Sequence, residues 1–420
     1  MYSILVVKNE ITQRNCPVCH NKSWDLLHEF RSTPLGDLLS ESQQDAIDQK
    51  SYPLRLVSCL HCKHIFLADV INPDLSYSEY LFNSASSPAL LDFMKDSVNW
   101  LKNEFPNLTS GLVIDIGAND GSFLNLFKTL GYQCLGIEPS PQYERMKSLG
   151  IPFINSYFNH DCADDFLESR DHSVKTSFIT VNNTIANVPE LSIFFENVTR
   201  IMDTETVFSI TTGYHLDQFA AGMFDYIYHE HLSYFTLNDF QTLADQFGLT
   251  LVAARKTPLK GGSIQVAFKK KSEFSGGLNN IVSNMLMWEN WVLKNNGDYF
   301  QNLKVNLGSY FTRNPVKELY PTNSSKKLVG YGMSHSVTTL IYQMQLESVL
   351  SFLVDDNSSR HGLFAPGTGL QVKEPASLLD GNCDVIILAW QHDARIMNRL
   401  NELGFTGAIH HPFQRMEIQK

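Results

Sequence analysis

At 420 residues the chain is too long for one ordinary hydrophobic core, so two or three domains are expected. Hydrophobic residues make up 43% and charged residues 18%, the balance of a globular protein, and a net charge of -11 excludes a general nucleic-acid binder, which needs a basic face. No stretch reaches the apolar length of a membrane span, and Tyr2-Ser-Ile-Leu-Val-Val lacks the charged lead and cleavage site of a signal peptide, so a cytoplasmic protein with no membrane partner is expected.

Four of the seven cysteines fall in two close pairs, Cys16-Pro-Val-Cys19 and Cys59-Leu-His-Cys62. Two such knuckles a few tens of residues apart can close a tetrahedral thiolate site, and the expectation is zinc. A redox role for either pair is weaker, because neither sits on a strand-helix unit. With four thiolates no ligand position stays open, so the metal is structural. It would stabilise an intervening segment rich in Ser, Gln and Asp that struggles to fold alone. The stretch from Pro73 to Ser87 mixes tyrosines with small polar residues and reads as a loop, in which Tyr77 and Tyr80 either face a ligand or pack. Leu90, Leu91, Met94, Val98 and Leu101 then fall at helical spacing between Pro88 and Phe105.

The next stretch organises the chain. Leu112-Val-Ile-Asp-Ile-Gly-Ala-Asn-Asp-Gly121 is an apolar strand, a glycine turn and the start of an amphipathic helix, and Cys134-Leu-Gly-Ile-Glu138 is the next parallel strand. Gly117 and Gly121 let the backbone approach a ligand, and Glu138 at a strand end can accept both hydroxyls of a ribose. A dinucleotide fingerprint would carry its second glycine where Asn119 stands. Asp115 and Asp120 place negative charge where a pyrophosphate would lie, which suits a sulfonium and an ammonium better. The pattern Asp-x-Gly-x-Asn-x-Gly followed by Glu138 resembles the S-adenosylmethionine site of class I methyltransferases; the bland alternative is a phosphate-free βα turn of another α/β enzyme.

Short apolar runs from Pro152 to Asn155, Ser177 to Val181 and Thr206 to Ile210, with a helix from Pro189 to Met202, continue a doubly wound, mainly parallel sheet. Ligands sit at the carboxyl ends of such strands, which puts Asn182 and Asn183 beside the crevice unless they only end the strand. In Phe224-Asp-Tyr-Ile-Tyr-His-Glu-His-Leu-Ser-Tyr-Phe235, eight of twelve residues are aromatic, His or Glu. Read as extended, Tyr228 and Glu230 face one way and His229 and His231 the other. His231 or His229 could take a proton near neutral pH, with Tyr228 or Glu230 orienting it or a substrate oxygen. The rival readings are a metal pair, which lacks the His-Glu-x-x-His spacing, and a structural cluster. A mostly helical stretch from Leu278 to Val305 leads to Lys327-Leu-Val-Gly-Tyr-Gly332, Ser351 to Asp355 and Asp384 to Trp390, which read as a second Rossmann-like unit. Its turn at Gly330 and Gly332 either offers backbone N–H groups to a phosphate or is scaffold.

The paired knuckles, the Asp-Ile-Gly-Ala-Asn-Asp-Gly turn with Gly-Ile-Glu-Pro-Ser, the Tyr228-His-Glu-His231 run, Lys260-Gly-Gly-Ser263, Val354-Asp-Asp-Asn357, Ala365-Pro-Gly-Thr-Gly and Leu388-Ala-Trp390 occur in one order. Over essentially the whole chain that order resembles the three-domain sugar C-methyltransferases of deoxysugar pathways, such as the mycarose 3-C-methyltransferases. The resemblance implies an α/β protein with a small zinc-binding domain at 1–86, a central class I methyltransferase domain at 87–272 and a C-terminal Rossmann-like domain at 273–420. It implies S-adenosylmethionine and structural zinc, and a nucleotide-linked keto-deoxysugar as acceptor, methylated through an enolate. His231 would be the base, with Tyr228, His229, Glu230 and Asn187 as active-site neighbours, and Tyr77, Tyr80, Lys260, Gly330, Gly332 and Asp356 would contact substrate. The chain departs from the family pattern at Asn187 and Lys260, each of which stands for a histidine, and at Met333-Ser-His-Ser336, which lacks a usual lysine. An O- or N-methyltransferase of another metabolite and a non-catalytic binder are the remaining readings. The chain would act as a monomer or small homo-oligomer.

Overall fold

A computed structural model describes residues 10–77, 84–273, 276, 279–295, 298–310 and 326–412, and the chain divides into two compact units. The first gathers Met1–Asp25, Val57–Met223 and Glu230–Phe300; the second gathers Leu26–Leu56, Phe224–His229 and Gln301–Lys420. Numbered along the chain, the early strands are β1 (Ile11–Gln13), β2 (Trp24–Pro34), β3 (Ser51–Cys59), β4 (Ile65–Leu67) and β5 (Asp69–Ile71). The stretch read as a loop holds a one-turn helix, Asp74–Tyr77, and a 3-10 turn, Ser84–Ser86. Tyr80 lies outside the described residues.

The first unit is built on β6 (Leu112–Ile116), β7 (Gln133–Ile137), β8 (Phe153–Ile154), β9 (Thr176–Asn182), β10 (Val207–Gly213), β11 (Ser233–Tyr234), β12 (Leu249–Thr257) and β13 (Ser263–Lys270). Seven of these form one sheet in the order β12-β13-β10-β9-β6-β7-β8. β13 runs antiparallel to both of its neighbours and the other pairings are parallel. The central strands are apolar on both faces, as strands covered on both sides must be. Val113 and Phe178 join the core with helices Pro88–Glu104 and Ser122–Thr129, while Ile114 and Ile179, one residue further on, join the core with helix Leu191–Ile201. The chain turns from β6 to β7 on one side and to β9 on the other, so a crevice opens at the carboxyl end of β6.

The cysteine knuckles have no core of their own. Cys16, Val18, Cys59, Phe66 and Ala68 belong to the same apolar cluster as Ile114 and Ile179. β1 pairs antiparallel with β5, and β4 pairs antiparallel with β11, Phe66 opposite Ser233 and Ile65 opposite Tyr234. The aromatic run is therefore not extended along its length. It opens as a 3-10 turn, Phe224–Tyr226, and becomes a strand only at Ser233, so the alternation of Tyr228 and Glu230 against His229 and His231 does not hold. Side-chain bonds keep the first part turned: Asp225 accepts from Trp390 Nε1 at 3.1 Å, and the Tyr226 hydroxyl donates to Gln391.

In the second unit β14 (Lys327–Tyr331), β15 (Leu350–Val354), β16 (Val372–Lys373), β17 (Cys383–Ile387) and β18 (Ile409–His410) form an all-parallel sheet in the order β16-β15-β14-β17-β18. Val329, Tyr331, Val354, Val385 and Ile387 pack with Ile396 and Leu400 of helix Asp393–Glu402. This is the second Rossmann-like sheet, with its own reversal of strand order at β14.

The stretch before it is helical at Asn280–Asn290 and Tyr299–Tyr310. Glu289 on the first of these helices is 0% exposed, a costly place for a carboxylate. It accepts four bonds: from the Tyr214 hydroxyl, the Leu237 N–H and the Asn238 N–H, each at 2.8 Å, and from the Asn238 side-chain amide at 2.7 Å. Leu237 begins helix Leu237–Gln246, so the anion also sits at a helix N-terminus, where the dipole favours it. Burial still pushes its carboxyl above the usual range. Glu289→Ala would leave these buried donors without an acceptor; the expected loss is roughly 3 kcal/mol in denaturant unfolding, with Glu289→Gln losing less. An unchanged midpoint in Glu289→Ala would refute the role.

Candidate active site

Each knuckle closes in the same way. His20 (φ 59) and Lys63 (φ 70) follow directly on Cys19 and Cys62 in the left-handed region, and their N–H groups donate back to the carbonyls of Cys16 at 2.9 Å and Cys59 at 3.1 Å. The four sulfurs of Cys16, Cys19, Cys59 and Cys62 lie within 4.8 Å of one another, with Cys16–Cys62 and Cys19–Cys59 each at 3.5 Å. Zinc–sulfur bonds of about 2.3 Å need sulfurs roughly 3.8 Å apart, so the set fits a tetrahedral zinc ion closely. Gln246 bonds to the Val18 carbonyl at 2.9 Å and Ser192 to His20 at 2.9 Å, tying the first knuckle to helices beside the large sheet.

At the crevice, Glu138 directly follows β7 at 6% exposure and accepts from the N–H of Asn119 at 2.7 Å and of Ser140 at 2.8 Å. These bonds fix both carboxylate oxygens at the edge of the glycine turn. Gly117 has φ +76, and a Cβ there would meet Thr184 Oγ1 at 2.2 Å, so only glycine fits. Asn119 (φ 49) and Asn183 (φ 55) also hold the left-handed conformation, a clustering of strained backbone around one crevice. Asp115, 2% exposed, accepts from Thr180 Oγ1 at 2.7 Å and Asn182 Nδ2 at 3.2 Å, and burial pushes its carboxyl up to about 7. Asp120 serves the turn itself: its carboxylate takes the N–H groups of Ser122 at 3.0 Å and Ala85 at 2.9 Å and pairs with Arg145 at 2.8 Å. Gly121, φ +76, precedes helix Ser122–Thr129. The crevice thus presents buried carboxylate acceptors, Asp115, Asp120 and Glu138, and the nearby guanidinium is already paired. That suits the ribose and cationic tail of S-adenosylmethionine and does not suit a pyrophosphate.

Further along the sheet edge, Asn187 ends the 3-10 turn Ile185–Asn187 that follows β9. The adjacent carbonyl of Ala186 accepts from the N–H of Leu232 at 2.8 Å, which brings the Asn187 loop beside the segment carrying Glu230 and His231. Glu230 is 7% exposed, and among the described residues neither of its carboxylate oxygens has a hydrogen-bond partner. His231 is half-buried, its ring edge-on to Tyr234 at 5.6 Å. Lys260, at φ +49 in the β12–β13 loop, is exposed, and its carbonyl accepts from Gln218 at 3.1 Å.

Tyr228 and His229 fall in the second unit. The Tyr228 ring lies 5.7 Å from that of His335, and buried His229 places Nε2 3.3 Å from the Tyr52 carbonyl. Gly332, φ +105, ends the β14 turn, where the N–H of Met333 is taken by Asp355 at 2.7 Å. A Cβ on Gly330 would meet Leu388 at 2.5 Å, so that glycine serves packing. Asp356 accepts from the Tyr331 hydroxyl at 2.9 Å and, with Arg395, Asn398, Arg399 and Glu402, lines an open cavity of about 500 Å³. Tyr77 ends a one-turn helix. Thr180 and Arg145 were not signalled by the sequence; each gains its place from a partner remote in the chain, Asp115 and Asp120.

Comparison with known proteins matches three family models along the chain: a zinc binding domain at 16–77, a methyltransferase domain at 92–254 and a C-methyltransferase C-terminal domain at 258–410. The C-methyltransferase NovU of Streptomyces niveus is 24% identical over 393 residues, covering 92% of each chain. Among solved structures, magnesium protoporphyrin IX methyltransferase from Synechocystis PCC 6803 with bound S-adenosylmethionine is 13% identical, covering 46% of this chain and 87% of its own, with a TM-score of 0.33. A methyltransferase from Aquifex aeolicus is 16% identical, covering 45% of this chain and 100% of its own, with a TM-score of 0.35. With a thiolate set that fits zinc, and matches to zinc binding, methyltransferase and C-methyltransferase C-terminal family models following one another along a single chain, the protein is a methyltransferase that uses S-adenosylmethionine.

Proposed function

We propose that the chain methylates a carbon next to the ketone of a nucleotide-linked keto-deoxysugar, in the cytoplasm. The observation that carries this reading is the buried, unpaired Glu230 carboxylate next in sequence to His231, beside the Asn187 loop. A buried acceptor without a partner is costly unless a ligand supplies one, and sugar hydroxyls are donors of the right kind.

Bound S-adenosylmethionine supplies an electrophilic methyl on its sulfonium. Glu138 holds the ribose hydroxyls, Asp115 with Asn182 favours the cationic tail, and Gly117, Asn119 and Asn183 shape the backbone around it, with Asp120 and Gly121 setting the turn. A carbon acceptor is a nucleophile only as its enolate, so a base must remove a proton beside the carbonyl. His231 takes that proton and Glu230 orients the sugar. The Asn187 amide donates to the oxygen on which charge develops; it cannot shuttle the proton itself. Tyr228 and His229, in the same run, are assigned supporting contacts to the acceptor. Lys260, Tyr77 and Tyr80 are assigned to the acceptor's periphery. Gly332 and Asp356 are assigned to its nucleotide, with Gly330 packing beneath them; the Asp356 cavity, with Arg395 and Arg399, offers guanidinium groups for phosphate and a carboxylate for ribose. We assign the zinc, methyltransferase and C-terminal functions to residues 1–86, 87–272 and 273–420.

Calorimetric titration with S-adenosylhomocysteine should show that Glu138→Ala weakens binding by more than about tenfold, equal to about 1.4 kcal/mol; equal affinities would remove Glu138 from the site. Folded Asp115 keeps its proton to about pH 7, whereas an unfolded aspartate loses it near 3.8. The folded state therefore binds more protons in that window, and the ligand-free protein loses stability as pH rises through it. Asp115→Asn removes this part of the pH dependence of thermal unfolding; an identical profile in the variant counts against the shift. The function itself is tested by incubating the enzyme with S-adenosylhomocysteine and a panel of nucleoside diphosphate-linked keto-deoxysugars in D₂O. Deuterium should enter the carbon next to the ketone, and His231→Asn should slow this by about a hundredfold or more. Exchange indifferent to His231, or methyl transfer to oxygen once S-adenosylmethionine replaces S-adenosylhomocysteine, would sink the mechanism.

A further inference from the structure

Arg14 precedes the first knuckle by two residues and belongs to no motif. Its side chain nonetheless reaches three separate segments of the first unit. Nε donates to the Leu67 carbonyl of β4 at 3.1 Å, and Nη1 donates to the Pro189 carbonyl at 3.2 Å. Nη2 donates to the Leu232 carbonyl and to Ser233 Oγ at 3.3 Å. The guanidinium lies 5.4 Å from the centre of the Phe66 ring, and the Arg14 N–H is bonded to the Ala68 carbonyl at 3.0 Å.

The carbonyls it holds are not scattered. Leu232 follows His231, and Pro189 stands two residues after Asn187. Leu232 is also held through its N–H to Ala186 at 2.8 Å, and its carbonyl takes the Leu67 N–H at 3.0 Å as well as the guanidinium. Backbone next to both proposed acceptor residues is thus held by Arg14, and the Leu232 segment is held also by the strand that leaves the second knuckle. We propose that Arg14 is a positioning residue for the reaction: its planar fork locks the His231 and Asn187 segments in one geometry against the zinc-bound knuckles. A lysine could not reproduce this, because one ammonium cannot address three carbonyls in the fork's fixed directions. The inference rests on the reading that His231 and Asn187 act on the acceptor.

The test uses the full-length, zinc-loaded enzyme with Arg14→Met and Arg14→Lys. Zinc content and S-adenosylhomocysteine affinity should stay as in the wild type, since the thiolates and the Glu138 crevice are untouched. Hydrogen exchange at the Leu232 and Leu67 amides should quicken by about tenfold or more. The kcat for a keto-deoxysugar nucleotide should fall by about tenfold or more while KM for S-adenosylmethionine holds, because displaced acceptor groups cost the chemical step and not cofactor binding. Wild-type exchange and wild-type kcat in Arg14→Met overturn the proposal. If Arg14→Met loses zinc or fails to fold, Arg14→Lys decides: full kcat with full amide protection overturns it, and reduced kcat with zinc retained supports it. Faster exchange in the variants of a wild type inactive on every keto-sugar would leave the positioning role standing and refute the acceptor reading.

Discussion

The antiparallel pairing of β4 with β11 is the constraint on which the first unit's active region depends. β4 leaves the second knuckle only three residues after Cys62, so its position follows from the thiolates. β11 carries the chain out of the Glu230–His231 segment. A two-residue strand has little stability alone, and here it is held by a metal site on one side and a shared apolar core on the other. Structural zinc in this protein therefore reaches the proposed chemistry through a backbone ladder.

The methyltransferase sheet supplies the rest. Its strand order places β6 between β7 and β9, and the side chains at those three carboxyl ends, Asp115, Glu138 and Asn182, converge because the strands are parallel. Backbone strain at Asn119 and Asn183 is concentrated at the same rim. Stability is conceded there and recovered in the uninterrupted apolar strands beneath, the usual division in a sheet that carries a cofactor crevice.

Features that are local in sequence were legible before any coordinates. The Cys-x-x-Cys knuckles, the glycine turn and Glu138 each declare themselves by spacing, because a metal ligand pair or a tight turn needs fixed offsets. The alternation of strands and helices gave both sheets. The aromatic run was misread as extended, since its His and Tyr content carries no period and its shape is set by Trp390 and Gln391, 165 residues away. Arg14 was silent for the same reason: Pro189 and Leu232 lie 175 and 218 residues downstream, and nothing near Arg14 foretells them. Whether a charged residue is solvated or enclosed is decided by its partners, and partners of that kind leave no trace in a single sequence.

The enclosed carboxylate of Glu289 also changes what counts as a domain. Glu289 lies within the matched C-methyltransferase C-terminal model, beyond the end of the methyltransferase model at 254, yet its acceptors complete the N-terminus of helix Leu237–Gln246, which lies wholly inside the latter. Inheritance and mechanics thus draw different borders. A gene fusion or exchange that cut the chain at the seam between the two models would strip a buried cluster of donors of its counter-charge, so the middle segment can be shuffled among relatives only if the helix after it travels along.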